Sequence, residues 1–580
     1  MNKVERILIT TGFLGVFMLI AMINISCGQS KIEKLDKLIG TYAEYGQFNG
    51  SVLVADKGEI IYKKGFGSAN MEWNIPNQPD TKHRLGSITK QFTSMLIMQL
   101  VQQGKLKLDV SISTYLPDYP KQNGDIITIH HLLTHTSGTP NYTSFPNFFQ
   151  DHGRDPYRPE ELVSYFADST LEFKPGERFS YSNSGYILLG AIIEKVTGKS
   201  YEQVLQENIL TPLKMTNTGY DHHDILLKNR ASGYDKNGRG YTNAGYLEMS
   251  IPYAAGALYS TVEDLYLWDQ ALYTDKLLSK NNKDLLFGKH IFEGQGHYAY
   301  GWIIGDLPIG NSVEKIPTIS HSGGIHGFNT ELTRFPTDKS FIVLLNNTSG
   351  APLHEMTIAI NGIIHDKPYD FPKKSIAYSL LDVIEKDGIT TGLQYFEKVK
   401  DSKDFYLREG EINEVGYYFL QSNRATEGAA VFKINVEAYP NSFNVYDSYG
   451  EALMVQGKKP EAIENYKKSV QLNPGNVGGM KVLKEAGVNT DDLITKVPIE
   501  ELKLLEGEYI EVNQAQWKLI FEEVNGVLVG DDKGYRYKLV PAGDGKFINP
   551  DDGVSLIFDT KDKNAITLLL FGNYRFNKVR

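Results

Sequence analysis

The sequence predicts three structured parts: a large mixed α/β domain over residues 35–365, a helical region over 375–490 and a small antiparallel all-β domain over 500–580. Three observations predict it. Up to Ile364, strand pairs joined by turns alternate with long apolar helical runs. Beyond a Pro- and Lys-containing linker at Asp366 to Lys374, a 34-residue period relates Gly416 to Gly450, Phe432 to Tyr466 and Pro440 to Pro474. After Val497-Pro498 the pattern becomes short alternating strands, with Asn525-Gly526 as a hairpin turn. At 580 residues the chain exceeds a single core, and length alone suggests about three to five domains.

Composition is that of an ordinary folded protein. A formal net charge of −10, with no dense Lys/Arg run, excludes a general nucleic-acid binder. Residues 1–27 read as a targeting segment. Lys3 and Arg6 precede an apolar run from Ile7 to Ile25, and then comes Ser26-Cys27-Gly28 with the single cysteine of the chain. Cys27 is similar to the acylated cysteine of bacterial lipoproteins, although Asn24 stands where such proteins have an aliphatic residue. The expectation is an exported, membrane-anchored lipoprotein in the cell envelope without disulfides; the alternative is an uncleaved anchor.

The elements follow in order. Phe48 to Val54 reads as a strand, Asp56-Lys57-Gly58 as a turn and Glu59 to Tyr62 as the returning strand. A helix starts at Gly86-Ser87-Ile88-Thr89-Lys90, runs through Phe92 to Val101 and stops at Gly104. It is apolar nearly all round, which predicts burial. His131 and His135 are spaced i, i+4 in a stretch ending at Gly138. With no glutamate and no third ligand nearby, the reading is a packed helix and no metal. Tyr186 to Thr197 is an apolar helix closed by Gly198, with Asn183 or Ser184 as its N-cap. Asp221-His222-His223-Asp224 reads as a solvated loop, and Thr261 with Asp264 approximates a capping box. Thr318 to Phe328 is a strand running into glycines, followed by a hairpin around Pro336-Thr337-Asp338.

Ser87 and Lys90 share a helix face at i, i+3, in a first turn where the dipole and burial both lower a lysine's pKa. A neutral amine there can take the serine's proton and make it a nucleophile. Ser-x-x-Lys alone is weak, since Ser312 to Lys315 repeats it in a turn context, and Tyr-x-Asn also recurs at Tyr241 and Tyr439. The order Ser87-x-x-Lys90, Tyr181-x-Asn183, His321-x-Gly323 is specific jointly.

With these three motifs, and with Ile129 to Gly138, Pro175-Gly176, Tyr181 to Tyr186 and Ser260-Thr261-x-x-Asp264, the region Leu38 to Ile364 resembles the serine β-lactamase-like superfamily. The branch is that of class C β-lactamases, D-amino-acid peptidases and related esterases. The resemblance implies a β-lactamase-like transpeptidase fold: an antiparallel sheet flanked by helices, with a helical subdomain between the first and third motifs. It implies that Ser87 forms an acyl-enzyme, that Lys90 and Tyr181 move the protons and that Asn183 orients the substrate amide or Lys90. The backbone N–H groups of Ser87 and Gly324 would form the oxyanion hole, with His321 and Gly323 at the substrate. No cofactor or metal is implied; the partner is a small-molecule or peptide substrate. The helical repeat matches the tetratricopeptide pattern, a spacer or a peptide-binding surface.

One departure bears on substrate. Members acting on β-lactams carry Lys-Thr-Gly or Lys-Ser-Gly where this chain has His321-Ser322-Gly323. A mostly neutral histidine is a poorer anchor for a substrate carboxylate. The ranking is therefore an esterase or D-amino-acid-type peptidase first. A class C-like β-lactamase, D-Ala-D-Ala carboxypeptidase or penicillin-binding protein comes second, and an inactive envelope scaffold third.

Overall fold

The computed structural model describes residues 30–237, 240–294, 296–490, 493, 497–512, 517–532, 534–549, 554–563, 565–570, 572 and 574–579. The expected leader and Cys27 lie outside them. Among the described residues no helix is long and apolar enough to cross a membrane. The chain divides into two compact units, the first ending at Pro372 and the second beginning at Lys373, with 237–240 grouped with the second.

The first unit is built on an eight-stranded sheet. Its strands are β1 (Gly50–Asp56), β2 (Glu59–Phe66), β3 (Ile291–Phe292), β4 (His297–Tyr298), β5 (Ile303–Pro308), β6 (Lys315–Ile325), β7 (Phe328–Phe335) and β8 (Ser340–Asn346). The order is β3-β4-β5-β6-β7-β8-β1-β2, and every pair is antiparallel. Lys57 and Gly58 both take positive φ in the β1–β2 turn, which matches the right-handed twist of the hairpin. Ser312 to Lys315, the second Ser-x-x-Lys, falls in the β5–β6 connection with Val313 fully exposed. β8 is buried at every position because both sheet faces are covered.

Period-two alternation sorts the side chains between the two faces. Val52, Val54, Ile342 and Leu344 pack with helical residues 30–44 (α1) and with Met356, Ile360 and Ile363 of the last helix in this unit. Leu53, Ala55, Val343 and Leu345 face α2 (Thr89–Gln102), which is buried at every residue from Thr89 to Leu100. Between the first and third motifs lie mostly helices. They include α3 (Ile129–Leu133), α4 (Asn183–Thr197) and α5 (Val262–Leu272), followed after the sheet by α6 (Leu353–Ile364). Gly198 closes α4 in the left-handed conformation, as a C′ glycine should.

Four local expectations change. α3 ends at Leu133 rather than running to Gly138. His131 Nδ1 accepts from the Thr128 N–H in a capping box, and His135 lies past the helix end at φ 56°, so the two histidines share no helix face. α4 is capped by neither Asn183 nor Ser184: Ser182 is the boundary, because the Asn183 carbonyl is bonded elsewhere and the Ser184 hydroxyl donates to Pro140 O. Asp221 is no loop residue in solvent; it is fully buried between Arg84 (2.7 Å) and Arg230 (2.8 Å). The Thr261–Asp264 box is one-sided, since Asp264 turns to Asn217 N and Thr218.

The second unit begins with helices α7 (Ile376–Asp387), α8 (Ile389–Val399), α9 (Glu409–Gln421), α10 (Ala425–Ala438), α11 (Phe443–Val455), α12 (Lys459–Leu472) and α13 (Val477–Glu485). The 34-residue period has a steric reason: a Cβ on Gly416 would stand 2.4 Å from the Phe432 ring, and one on Gly450 3.1 Å from Tyr466. In each case the glycine lets the next helix's aromatic ring lie against its backbone. α7 and α8 form a further pair outside that period, because there the glycine, Gly392, is on the second helix, against Ile384.

The unit ends in a closed eight-stranded barrel: β9 (Gly507–Glu511), β10 (Lys518–Val524), β11 (Val527–Asp532), β12 (Tyr535–Pro541), β13 (Lys546–Ile548), β14 (Ser555–Asp559), β15 (Thr567–Leu570) and β16 (Tyr574–Lys578). Tyr509, Phe521, Phe547, Phe558 and Phe576 fill it, as small barrels require. Asn525 and Gly526 both take positive φ at the β10–β11 hairpin.

Candidate active site

The first and third motifs meet backbone to backbone. Gly86 has φ 54°, and a Cβ there would lie 2.9 Å from Gly324 N and O. A Cβ on Gly323 would lie 2.0 Å from Leu85 O, and the Thr330 hydroxyl donates to that same carbonyl at 2.8 Å. A Cβ on Gly324 would meet nothing within 4 Å. The close approach thus demands glycine at 86 and 323, whereas 324 stands open beside the site. Gly323→Ala is expected to destabilise the fold by about 2 kcal/mol or more through overpacking, and Gly324→Ala by less than about 1 kcal/mol. Thermal melts of the two variants check this, and equal melting points would refute it.

Ser87 sits in a 3-10 turn, Gly86–Ile88, that leads into α2 and places Lys90 in its first turn. Lys90 is fully buried. Its Nζ lies 3.0 Å from Ser87 Oγ, 2.9 Å from Asn183 Oδ1 and 2.9 Å from Ala255 O. The Ala255 carbonyl arrives because Gly190 of α4 has no side chain; a Cβ there would be 2.3 Å from Tyr253. Burial pushes the amine's pKa well below its ordinary 10.5. A neutral amine has two N–H donors and one lone pair. Asn183 Oδ1 and Ala255 O can only accept, so they take both donors and leave the lone pair facing the Ser87 hydroxyl.

Tyr181 donates its hydroxyl to Ser87 Oγ at 2.8 Å. Burial raises its pKa, which keeps it a neutral phenol. Its ring is held by His135. The rings lie 4.2 Å apart; Ser180 N–H donates to the His135 carbonyl, and Ser182 N–H donates to His135 Nδ1. Asn183 is oriented by its own amide donating to Thr143 Oγ1 at 3.2 Å.

His321 is buried too, and its hydrogen bonds can be assigned end to end. Ser182 N–H must donate to His135 Nδ1, so a neutral His135 donates from Nε2 to Tyr298 Oη (3.2 Å). Tyr298 then donates to His321 Nε2 (2.9 Å), and His321 Nδ1 donates to Ser322 O (2.6 Å). Desolvation drives both histidines down, His321 to about 4 and His135 well below the usual value, with Lys90 nearby adding to each shift. Both ring nitrogens of His321 are engaged by the protein, and the ring is uncharged at neutral pH.

The structure therefore brings Ser87, Lys90, Tyr181, Asn183, His321, Gly323 and Gly324 into one region. His135, Tyr298, Thr143 and the Ala255 carbonyl went unassigned in the sequence. Their only signal was the text around His135, because a tyrosine or a backbone carbonyl carries no motif. Among the described residues no group of three or more His, Cys, Asp or Glu is placed to hold a metal ion.

A cavity of about 370 Å³ opens on Ser87, lined by Tyr142, Phe149, Leu247, Ile251 and Ile325 among others. Residues 35–361 match the family described as Beta-lactamase. Penicillin-binding protein 4* of Bacillus subtilis (strain 168) is 32% identical over 365 residues, covering 60% of this chain and 79% of that protein. Protein flp of Staphylococcus aureus (strain N315) is 29% identical over 351 residues, 58% of this chain and 67% of that one. The crystal structure of the D-amino acid amidase of Ochrobactrum anthropi SV3, complexed with L-phenylalanine amide, shares the fold. It has a TM-score of 0.50 and 24% identity, and the match covers 57% of this chain and 99% of that one. Because the Beta-lactamase family match over residues 35–361 spans more than half of the chain, the chain belongs to that family, a family of serine hydrolases.

Proposed function

We propose that this protein hydrolyses ester or amide bonds through an acyl-enzyme on Ser87. The observation that carries the reading is the pair of contacts on one oxygen: Ser87 Oγ stands 3.0 Å from the Lys90 amine and accepts from Tyr181 at 2.8 Å. Lys90 accepts the Ser87 proton as Oγ bonds to the substrate carbonyl carbon. Tyr181 gives its proton to the leaving group as the carbonyl–heteroatom bond breaks, and Lys90 returns a proton to Tyr181. Water then hydrolyses the acyl-enzyme and frees the acid. Lys90 is the base and Tyr181 the acid because burial favours the neutral form of each. Asn183 holds Lys90. The N–H groups of Ser87 and Gly324 receive the oxyanion, each donor contributing about 3 kcal/mol to the transition state. His321, with no ring nitrogen free, acts as a brace for β6.

A class C-like β-lactamase, a D-Ala-D-Ala carboxypeptidase or a penicillin-binding protein, the last being the name one relative carries, ranks second, because His321 offers no cation. An inactive scaffold ranks third, since a dead site has no need of the Ser87–Lys90–Tyr181 contacts. A fluorophosphonate probe followed by intact-mass measurement should add one phosphonyl group per chain and add none to Ser87→Ala; an unlabelled, folded wild type refutes the enzyme reading. We place the protein in the cell envelope, anchored through acylated Cys27 behind its apolar run. The 34-residue helical repeat is assigned as a tetratricopeptide spacer.

A further inference from the structure

Two cavities meet at Gly324, one of them opening on Ser87, and they differ in charge. On one side is the 370 Å³ cavity, lined by Tyr142, Phe149, Leu247, Ile251 and Ile325, with His326 turned to the Gly245 carbonyl. Among the described residues its lining holds no Lys, Arg, Asp or Glu. On the other side a cavity of about 1000 Å³ runs along β6 and shares Gly324 with the first. Its charged lining is Glu293, Asp306, Glu331 and Glu355 against Lys315 and His354, a carboxylate-rich wall. Between them, His321 is closed at both nitrogens by Tyr298 and the Ser322 carbonyl. A substrate carboxylate would lose its water in the first cavity without gaining a cation, and would meet like charge in the second. A free ammonium in the first would find no carboxylate.

Resting on the serine-hydrolase reading, we propose that the site takes an ester or amide whose acyl group is apolar and uncharged and whose leaving group carries no carboxylate. This departs from substrates that end in a free carboxylate and from free amino-acid amides. The acyl group fills the pocket of Phe149, Leu247, Ile251 and Ile325, and apolar contact there replaces ionic anchoring as the source of affinity.

The test uses the full chain and three chromogenic esters. One is 4-nitrophenyl phenylacetate, one is mono-4-nitrophenyl glutarate with a carboxylate on the acyl side, and one is 4-phenylacetoxy-3-nitrobenzoate with a carboxylate on the leaving group. Each kcat/KM is divided by the ester's alkaline hydrolysis rate. The neutral ester should exceed both anionic ones by about 100-fold; a ratio below tenfold for either overturns the inference. Phe149 lies on the cavity and is 37% exposed, so Phe149→Arg should fold. It should raise the glutarate ester relative to the phenylacetate by about tenfold, and no change counts against the assigned acyl pocket. Fluorophosphonate labelling separates the two claims. Labelled enzyme without charge selectivity overturns this inference alone, whereas unlabelled, inactive enzyme overturns the acyl-enzyme reading and this inference with it.

Discussion

Lys90→Met is expected to lower kcat/KM for a neutral ester by about 10³-fold or more while leaving the fold intact. Methionine has nearly the length of lysine and suits a site with no exposure, so the packing of α2 is kept. What is lost is the lone pair facing Ser87 Oγ. Lys90→Arg should not rescue activity, because a guanidinium cannot give up its proton and has no lone pair to offer. The wild-type rate carries the sign of the same group. Protonated Lys90 cannot accept the serine proton, so kcat/KM falls as pH drops through the Lys90 pKa. That pKa stands well below 10.5 because burial disfavours the cation. Lys90→Met should lack this acidic limb. A pH–kcat/KM profile of both proteins measures it, and a variant with the wild-type rate would remove Lys90 from the mechanism.

Asp269→Ala is expected to destabilise the first unit by about 3–5 kcal/mol, a fall in melting temperature on the order of 10 °C. Asp269 on α5 and Arg334 on β7 are buried at 0% and 2% exposure, with Arg334 Nε donating to Asp269 Oδ1 at 2.5 Å. The guanidinium also lies over Tyr273 (4.6 Å) and Phe287 (5.5 Å), so no water can replace the lost carboxylate. Burial raises the Asp269 pKa even with Arg334 lowering it, which marks the pair as one held against a desolvation cost. The cost is therefore that of leaving Arg334 unpaired more than the loss of an attraction. Arg334→Met combined with Asp269→Leu should recover most of the stability. Arg334 faces Ile319 of β6, two residues before His321, so the third motif inherits its rigidity from this pair. Thermal melts of the single and double variants decide; a single variant within 2 °C of wild type sinks the argument.

Local and periodic features were legible in the sequence. The β1–β2 hairpin follows from Asp56-Lys57-Gly58, buried α2 from an apolar run that leaves no polar face, and the helical repeat from glycine facing aromatic ring. The bond of Ser87 to Lys90 was legible as well, because i, i+3 on a helix is a local distance. The α4 cap and buried Asp221 were not legible, for one physical reason: a side chain's partner there comes from far along the chain. Asn183 is 93 positions from Lys90, and Arg84 is 137 from Asp221.

By itself, the sequence determined the chemistry of this protein. It places a serine and a lysine on one buried helical turn, a tyrosine and an asparagine at the start of a second helix, and a histidine where a cation would have been informative. Tertiary structure alone decided how those groups are protonated and what they face. Two carbonyls, Asn183 Oδ1 and Ala255 O, take the donors of Lys90, and Tyr298, standing between His135 and His321, occupies His321 Nε2. An apolar cavity opens on Ser87, and a carboxylate-rich one meets it at Gly324. Protonation depends on desolvation and on where each lone pair points, and both are properties of packing that no spacing along the chain encodes.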